Sequence, residues 1–420
     1  VVAIRNARIF PVSGAPIAKG NVVVKNGLIT DVGENAAIPS DAWVIDGEGL
    51  TVYPGLVEAM GSIGIPEAAP TAGPGAGPGR GAMPGALPMP GAASTPARGP
   101  EDRPLTNSWV RASDLVRSNE RRLEAARNGG YTSAVTFPTG GIFTGQGAVI
   151  NLAGENAGRM VVENQVGQLV TLARGGFTAF PGSLMGTFAY IRQVFLDAEH
   201  YQKAKDLYAK SPAGLERPAY DRALEGVLES RRLLMPAVSA VDFHRILNFA
   251  NELKIKPVLY GAHEAYRVPE LIAKSGVPVL VSLKWPEAAR DRDPDEVDSF
   301  RTLELRENAA TSPAALAKAG VKFAFYSDGQ TPADALKGAR AAISKGLSTD
   351  AALRAMTLAP AEIFGVADRI GSIEKGKIAN LLVTKGELFA ERPEIQAVFV
   401  DGVRYEPPPP TPPAKPEVSQ

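Results

Sequence analysis

The sequence contains no cysteine, and its 420 residues include only three histidines. The first absence removes disulfides, thiolate nucleophiles, zinc fingers and iron–sulfur clusters together. The second limits any imidazole-built site to His200, His244 and His263. Neither sign of charge is in excess: 45 Lys and Arg face 45 Asp and Glu, for a formal net charge of zero. That balance argues against nucleic-acid binding, which calls for a basic surplus, and against a polybasic membrane-surface protein. No apolar run is long enough for a membrane-spanning helix.

What is present fits a globular protein of enzyme size, with 45% hydrophobic residues. The first residue is Val, not Met. A removed signal peptide accounts for such a start, as does trimming. With the lack of cysteine it leads us to expect an extracytoplasmic protein: periplasmic, secreted or cell-surface. Both ends read as short strands. Ala3–Phe10, Asn21–Lys25, Leu28–Val32 and Trp43–Asp46 lie at one end, with Asn26-Gly27 as a hairpin turn. Ala379–Thr384, Ile395–Val400 and Val403–Tyr405 lie at the other, with Asp401-Gly402 as a second turn. We therefore expect a small β-sandwich built from residues 1–50 and 372–406.

Between them, residues 51–371 alternate strand and helix patterns. Strand candidates are Thr51–Val57, Thr132–Phe137, Leu233–Val238, Lys256–Tyr260, Val277–Leu283 and Val321–Tyr326; helix candidates include Ser113–Asn128, Leu184–Lys210 and Val241–Leu253. The alternation and size predict an α/β fold, a (β/α)₈ TIM barrel with insertions. Two stretches stand apart. Residues 66–100 hold 9 Pro, 8 Gly and 9 Ala in 35 positions, too little to bury a core. The tail 407–420 carries seven prolines in 407–416 and is expected to be disordered and extended.

Three segments resemble the amidohydrolase superfamily, in its imidazolonepropionase-like and secreted branch. Tyr53-Pro54-Gly55-Leu56-Val57-Glu58-Ala59-Met60-Gly61-Ser62 is similar to the family's Pro-Gly turn leading into the first barrel strand. Gly371-Ser372-Ile373-Glu374-Lys375-Gly376-Lys377-Ile378-Ala379-Asn380-Leu381 resembles its C-terminal signature, and Phe325-Tyr326-Ser327-Asp328-Gly329 the end of its eighth strand. The resemblance covers about residues 1–405. It implies the barrel-plus-sandwich fold and a site at the C-terminal mouth of the barrel. There, one or two divalent metals acidify a water that attacks an amide or related C–N bond, and an Asp takes its proton.

The residues at the implied ligand positions break the pattern. The histidines of the first strand fall on Met60 and Ser62, and the one of the sixth strand on Gly261. The fifth-strand region, Met235–Ser239, has no His. No lysine occurs between Lys25 and Lys203 to bridge two metals. A thioether is a poor zinc ligand. Asp328 survives, either as a base or as a vestigial residue capping the turn that follows. His263 and Tyr266 are substrate-binding candidates at the mouth, although a loop histidine more often serves as a hydrogen-bonder. His200 and His244 read as helix-surface residues. Glu58 stands where the family has Asp and reads as a buried or turn-stabilising carboxylate. A set of Glu58, His263 and Asp328 around a single zinc ion is the alternative to no cofactor.

Other motifs fail on their details. Gly371–Lys377 has phosphate-loop spacing, but Ile378 follows the lysine and a strand follows the loop. The acidic run Asp291–Glu296 lacks the glycine and closing Glu of a calcium loop. Two functions remain. One is an amidohydrolase-fold protein without its metal ligands, a non-catalytic subunit or ligand-binding paralogue that assembles with itself or with an active relative. The other is a hydrolase of C–N bonds with a reduced site around Asp328. Because residues 66–100 leave the first barrel strand, they belong over the mouth. Deleting them is expected to leave the melting temperature nearly unchanged by differential scanning calorimetry; a large drop would make the segment part of the folded core.

Overall fold

In the computed structural model, residues 1–67, 103–174, 180–230, 232–288 and 297–408 are described. Most of the 66–100 segment, the acidic run Asp291–Glu296 and the tail beyond Pro408 lie outside them. The N-terminal strands are β1 (Val2–Ile9), β2 (Ile17–Lys25), β3 (Leu28–Gly33), β4 (Trp43–Asp46) and β5 (Leu50–Pro54). A second set follows: β6 (Leu56–Gly61), β7 (Tyr131–Thr136), β8 (Phe143–Asn151), β9 (Val161–Val170), β10 (Leu233–Ala237), β11 (Pro257–Gly261), β12 (Val279–Ser282) and β13 (Phe323–Tyr326). The chain ends with β14 (Leu381–Lys385), β15 (Glu394–Val400) and β16 (Val403–Tyr405).

The terminal strands form one connected sheet, in the order β16-β15-β14-β5-β1-β2-β3, with β4 beside the start of β1. The expected sandwich is thus a single hydrogen-bonded sheet that takes strands from both ends. Both hairpin turns form where the sequence placed them. Asn26 and Gly27 have φ of 53° and 80°, and Asp401 and Gly402 have 51° and 76°, the left-handed pair that twists correctly between antiparallel strands. The turns also touch: a Cβ on Gly27 would lie 2.7 Å from the Asp401 carboxylate. Glycine is needed there for space as well as for φ.

The candidate strand Thr51–Val57 is really two strands in two sheets. The break falls at Gly55, where a Cβ would sit 2.1 Å from the Thr132 side chain. Likewise, Ser113–Asn128 is two helices, Ala112–Leu115 and Arg121–Asn128.

The second sheet runs in sequence order from β6 to β13. Pairing is parallel except around β8, which is antiparallel to both β7 and β9. The expected all-parallel (β/α)₈ pattern fails there for a simple reason. The link from β7 to β8 is a short turn carrying Gly140 and Gly141 at positive φ, and a turn without a crossover helix reverses the strand. Nor does the ladder close, since among the described residues no backbone pairing joins β13 to β6. One face of this sheet gathers Val57, Ala59, Val135, Leu234, Val258 and Tyr326; alternate residues such as Leu56, Ala134 and Leu259 pack in a second cluster with helix residues such as Phe243 and Leu336. Burial on both faces suits near-continuous apolar strands. Among the described residues no helix is long and apolar enough to cross a membrane.

Asn380 joins the two sheets. Its amide donates to Ser133 Oγ (3.0 Å) and Asn151 Oδ1 (2.8 Å), and its Oδ1 accepts the Asp401 N–H (2.9 Å). It is 5% exposed. Asn380→Ala strands three polar partners and is expected to lower the unfolding free energy by about 2–4 kcal/mol in urea titration. A loss within error would show that these bonds are replaceable.

Candidate functional site

The parallel strands β6, β11, β12 and β13 end on the same side, and the loops that follow build the mouth. After β11 the chain turns sharply, with Gly261 at φ 107° and Ala262 at φ 62°. Backbone bonds from Ala262 N to Ala237 O (2.9 Å) and from Glu264 N to Val238 O (3.0 Å) fix that turn against the end of β10. The buried Glu264 carboxylate accepts the Ala240 N–H (2.8 Å) at the start of the helix Ala240–Glu252.

This turn sets His263. Its ring hydrogen-bonds to the backbone of Lys284 and lies 6.0 Å from the Trp285 ring, centroid to centroid. Nε2 is buried without a partner, so the bonded nitrogen is Nδ1, which donates to the Lys284 carbonyl. Burial pushes the imidazole pKa down, against the opposing charge of Asp328 and the Lys284 bond. Its Nε2 is left buried and without a hydrogen-bond partner.

Asp328 follows β13 at φ 54°, with its carboxylate exposed and accepting Ser282 Oγ (3.0 Å) from the end of β12. Burial raises the phenol pKa values of Tyr260 and Tyr326, and the Asp328 charge adds to the rise. The Tyr260 hydroxyl donates to the Val170 carbonyl (3.0 Å). Tyr266 stands aside from this group: its hydroxyl accepts from Arg267 (3.1 Å), and its N–H donates to Ser312 Oγ (3.1 Å).

Glu58 is 1% exposed. Its Oε1 accepts the N–H of Ser327 (2.9 Å) and, more weakly, of Met60 (3.4 Å). Burial pushes its pKa up to about 7; bonds from the Ser327 backbone and hydroxyl and the Met60 N–H pull the other way, and the Asp328 charge adds to the rise. Its neighbours in a cavity of about 420 Å³ include Arg122, Ala126, Tyr131 and Gln330, from the helix Arg121–Asn128, β7 and the loop after β13.

The positions where the resemblance implied ligands are otherwise engaged. Met60 packs against the apolar cluster of Val57 and Tyr326. Ser62 Oγ and its carbonyl both accept from Arg122 (3.1 and 3.0 Å). At Gly261 a Cβ would lie 2.8 Å from Val238 Cγ2 on a left-handed backbone, so a histidine there requires rearrangement. The alternative zinc set of Glu58, His263 and Asp328 does not converge: among the described residues no three His, Asp or Glu side chains are grouped to hold a metal. Glu58 is occupied with the backbone of the β13 loop, and His263 with Lys284. The residues present therefore do not fit the metal centre that the fold family implies. His200 and His244 are exposed on their helices. Ser282, Tyr260, Tyr326, Arg122 and Gln330 went unseen in the sequence; only the strand-end position of the two tyrosines could have pointed to them.

The model of the amidohydrolase family matches residues 203–404. A crystal structure of an amidohydrolase from Thermotoga maritima MSB8 superposes with a TM-score of 0.77 at 29% identity, covering 97% of this chain and 100% of that one. These matches support the amidohydrolase superfamily. Amidohydrolase tasK of Hapsidospora irregularis is 22% identical over 91% of this chain, which spans only 39% of that protein's length. A prolidase complexed with N-methylphosphonate-L-proline shares the fold at TM-score 0.55 and 14% identity, over 96% of this chain and 99% of that one.

Glu58 has a consequence for stability. A carboxyl whose folded pKa is raised costs nothing below its unfolded value, near 4.5. Between 4.5 and about 7 the unfolded chain releases its proton while the folded chain keeps it, so stability falls; above that range the loss is constant. Glu58→Gln removes this slope. The wild type is expected to lose roughly 3 kcal/mol more than the variant across that window, read from urea unfolding at its two ends. Parallel pH profiles would refute a buried, proton-holding Glu58.

Proposed function

We propose that this chain has left the histidine–metal chemistry of its superfamily and serves as a non-catalytic subunit or ligand-binding relative of an active amidohydrolase. The observation that supports this is the engagement of three positions at once. Met60 is committed to apolar packing, Ser62 to Arg122, and Gly261 to a backbone shape that a larger residue strains. What remains exposed at the mouth is the Asp328 carboxylate, held by the buried Ser282 hydroxyl. An exposed carboxylate suits a polar ligand with N–H or O–H donors, held without bond cleavage.

A second reading is a hydrolase of C–N bonds that uses Asp328 as its base. The exposed carboxylate beside an uncharged imidazole favours it. In that reading Asp328 takes a proton from the attacking water, while Ser282 keeps the carboxylate oriented.

Elemental mass spectrometry separates the proposal from its opposite. Protein purified without chelator, and again after incubation with Zn²⁺, is expected to carry less than about a tenth of an equivalent of metal per chain. Close to one equivalent, lost on Asp328→Ala, would overturn the proposal. Hydrolysis of a C–N bond by metal-free protein, abolished by Asp328→Asn, would establish the second reading instead.

A further inference from the structure

The helix Phe300–Asn308 is capped and ion-paired, yet none of its nine residues is buried. Ser299 accepts the Thr302 N–H (3.1 Å) at its start. Arg306 pairs with Asp298, Arg267 with Glu304 and Lys345 with Glu307, each at 2.5 Å. Burial of an apolar face is what ordinarily stabilises so short a helix. Here Phe300 and Leu303 face solvent instead, and Phe300 is 80% exposed.

These side chains belong to a larger patch. Arg301 lies 3.6 Å from one oxygen of the Glu264 carboxylate, and the other oxygen accepts the Ala240 N–H (2.8 Å). Glu264 therefore sits between the start of this helix and the start of the helix Ala240–Glu252. Its own N–H donates to the Val238 carbonyl (3.0 Å). Val238 and Val241 are exposed on that side, and Val297, just ahead of the Ser299 cap, is 91% exposed. Five apolar side chains are thus open to solvent around Glu264 and Arg301, on the rim of the mouth. By their fractional exposure they present roughly 600 Å². That is the upper end of what a monomer leaves open, and it approaches the ~800 Å² that each partner of a stable pair buries.

Charge points to a second copy of the chain as the occupant. On this rim each acid has a base beside it: Asp242 has Arg245, Glu264 has Arg301 and Glu304 has Arg267. A basic or acidic partner gains nothing from such a surface. The whole chain has a formal net charge of zero, so two copies approach without mutual repulsion. A patch that faces itself closes about a two-fold axis. We propose that this rim is a homodimer interface, in which Phe300 and Leu303 of one copy pack on Val238 and Val241 of the other, and the reverse. The pair then sets the two mouths side by side. Oligomeric mass bears on this interface and metal content on the reading of the mouth, so either can fail alone.

Sedimentation velocity on the full chain, between about 1 and 50 μM, is expected to show a dimer. Phe300→Asp places a charge in the contact on a helix that supports no core. It is expected to give monomers across that range with an unchanged circular dichroism spectrum, a loss of at least about 100-fold in affinity. Val241→Arg reaches the same contact from its other half and is expected to do the same. Leu207→Asp, an exposed position at the far end of the helix Leu184–Lys210, is the control and is expected to leave the dimer intact. Three results overturn the proposal: a wild type that stays monomeric up to about 50 μM, a dimer that both Phe300→Asp and Val241→Arg leave unchanged, or a dimer that Leu207→Asp dissolves equally well.

Discussion

The Glu58 carboxyl ties the two strands at the open side of the central sheet. β6 and β13 are its edge strands and share no ladder, yet Glu58 on one accepts the Ser327 N–H that follows the other. The bond has to be made by a side chain because the backbones do not pair. It must also be made in a buried place, which is why the carboxyl holds its proton so tightly. Asp328, one residue beyond the contact, is turned outward at positive φ as a result, with Ser282 on its carboxylate. The seam, the mouth and the cavity behind Glu58 are therefore three sides of one constraint.

The same arrangement accounts for how the mouth differs from what the resemblance implied. Met60, beside the seam, has been drawn into the apolar interior, and Ser62 has been drawn outward to Arg122. Arg122 in turn stitches the start of its helix to the β6 loop through carbonyls of Ser62 and Ile65. These contacts stabilise the loop locally and engage both residues at the end of β6. His263 keeps a free nitrogen, but its orientation is fixed by Lys284 rather than by any acid partner.

Much of the scaffold was legible because it is written in local signals. Asn26-Gly27 and Asp401-Gly402 are turn chemistry that any sequence reader can use, and the strands β7 and β10–β13 are short apolar runs bounded by breakers. β8 and β9 were missed because Gly145, Gln146 and Gly147, or Glu163 and Gln165, do not look like strand residues; burial against helices and loops decides there, not propensity. The break at Gly55 was hidden for a similar reason, since the crowding by Thr132 is a contact 77 positions away in sequence. At the site, sequence could identify which ligands were missing. It could not show that Gln330 Oε1 ends without a partner or that Arg122 bonds Ser62, because those are facts of three-dimensional neighbourhood.

The terminal sheet carries a consequence for how the chain is made. β5 pairs with β14, and the Asn26-Gly27 turn rests on Asp401. β5 thus has one edge unsatisfied until β14 is made, more than 300 residues later. While residues 55–380 are being made, the exposed edge of β5 is a strand in search of a partner, open to other chains and to chaperones. Completion of this sheet waits on the synthesis of the whole α/β segment between its two halves.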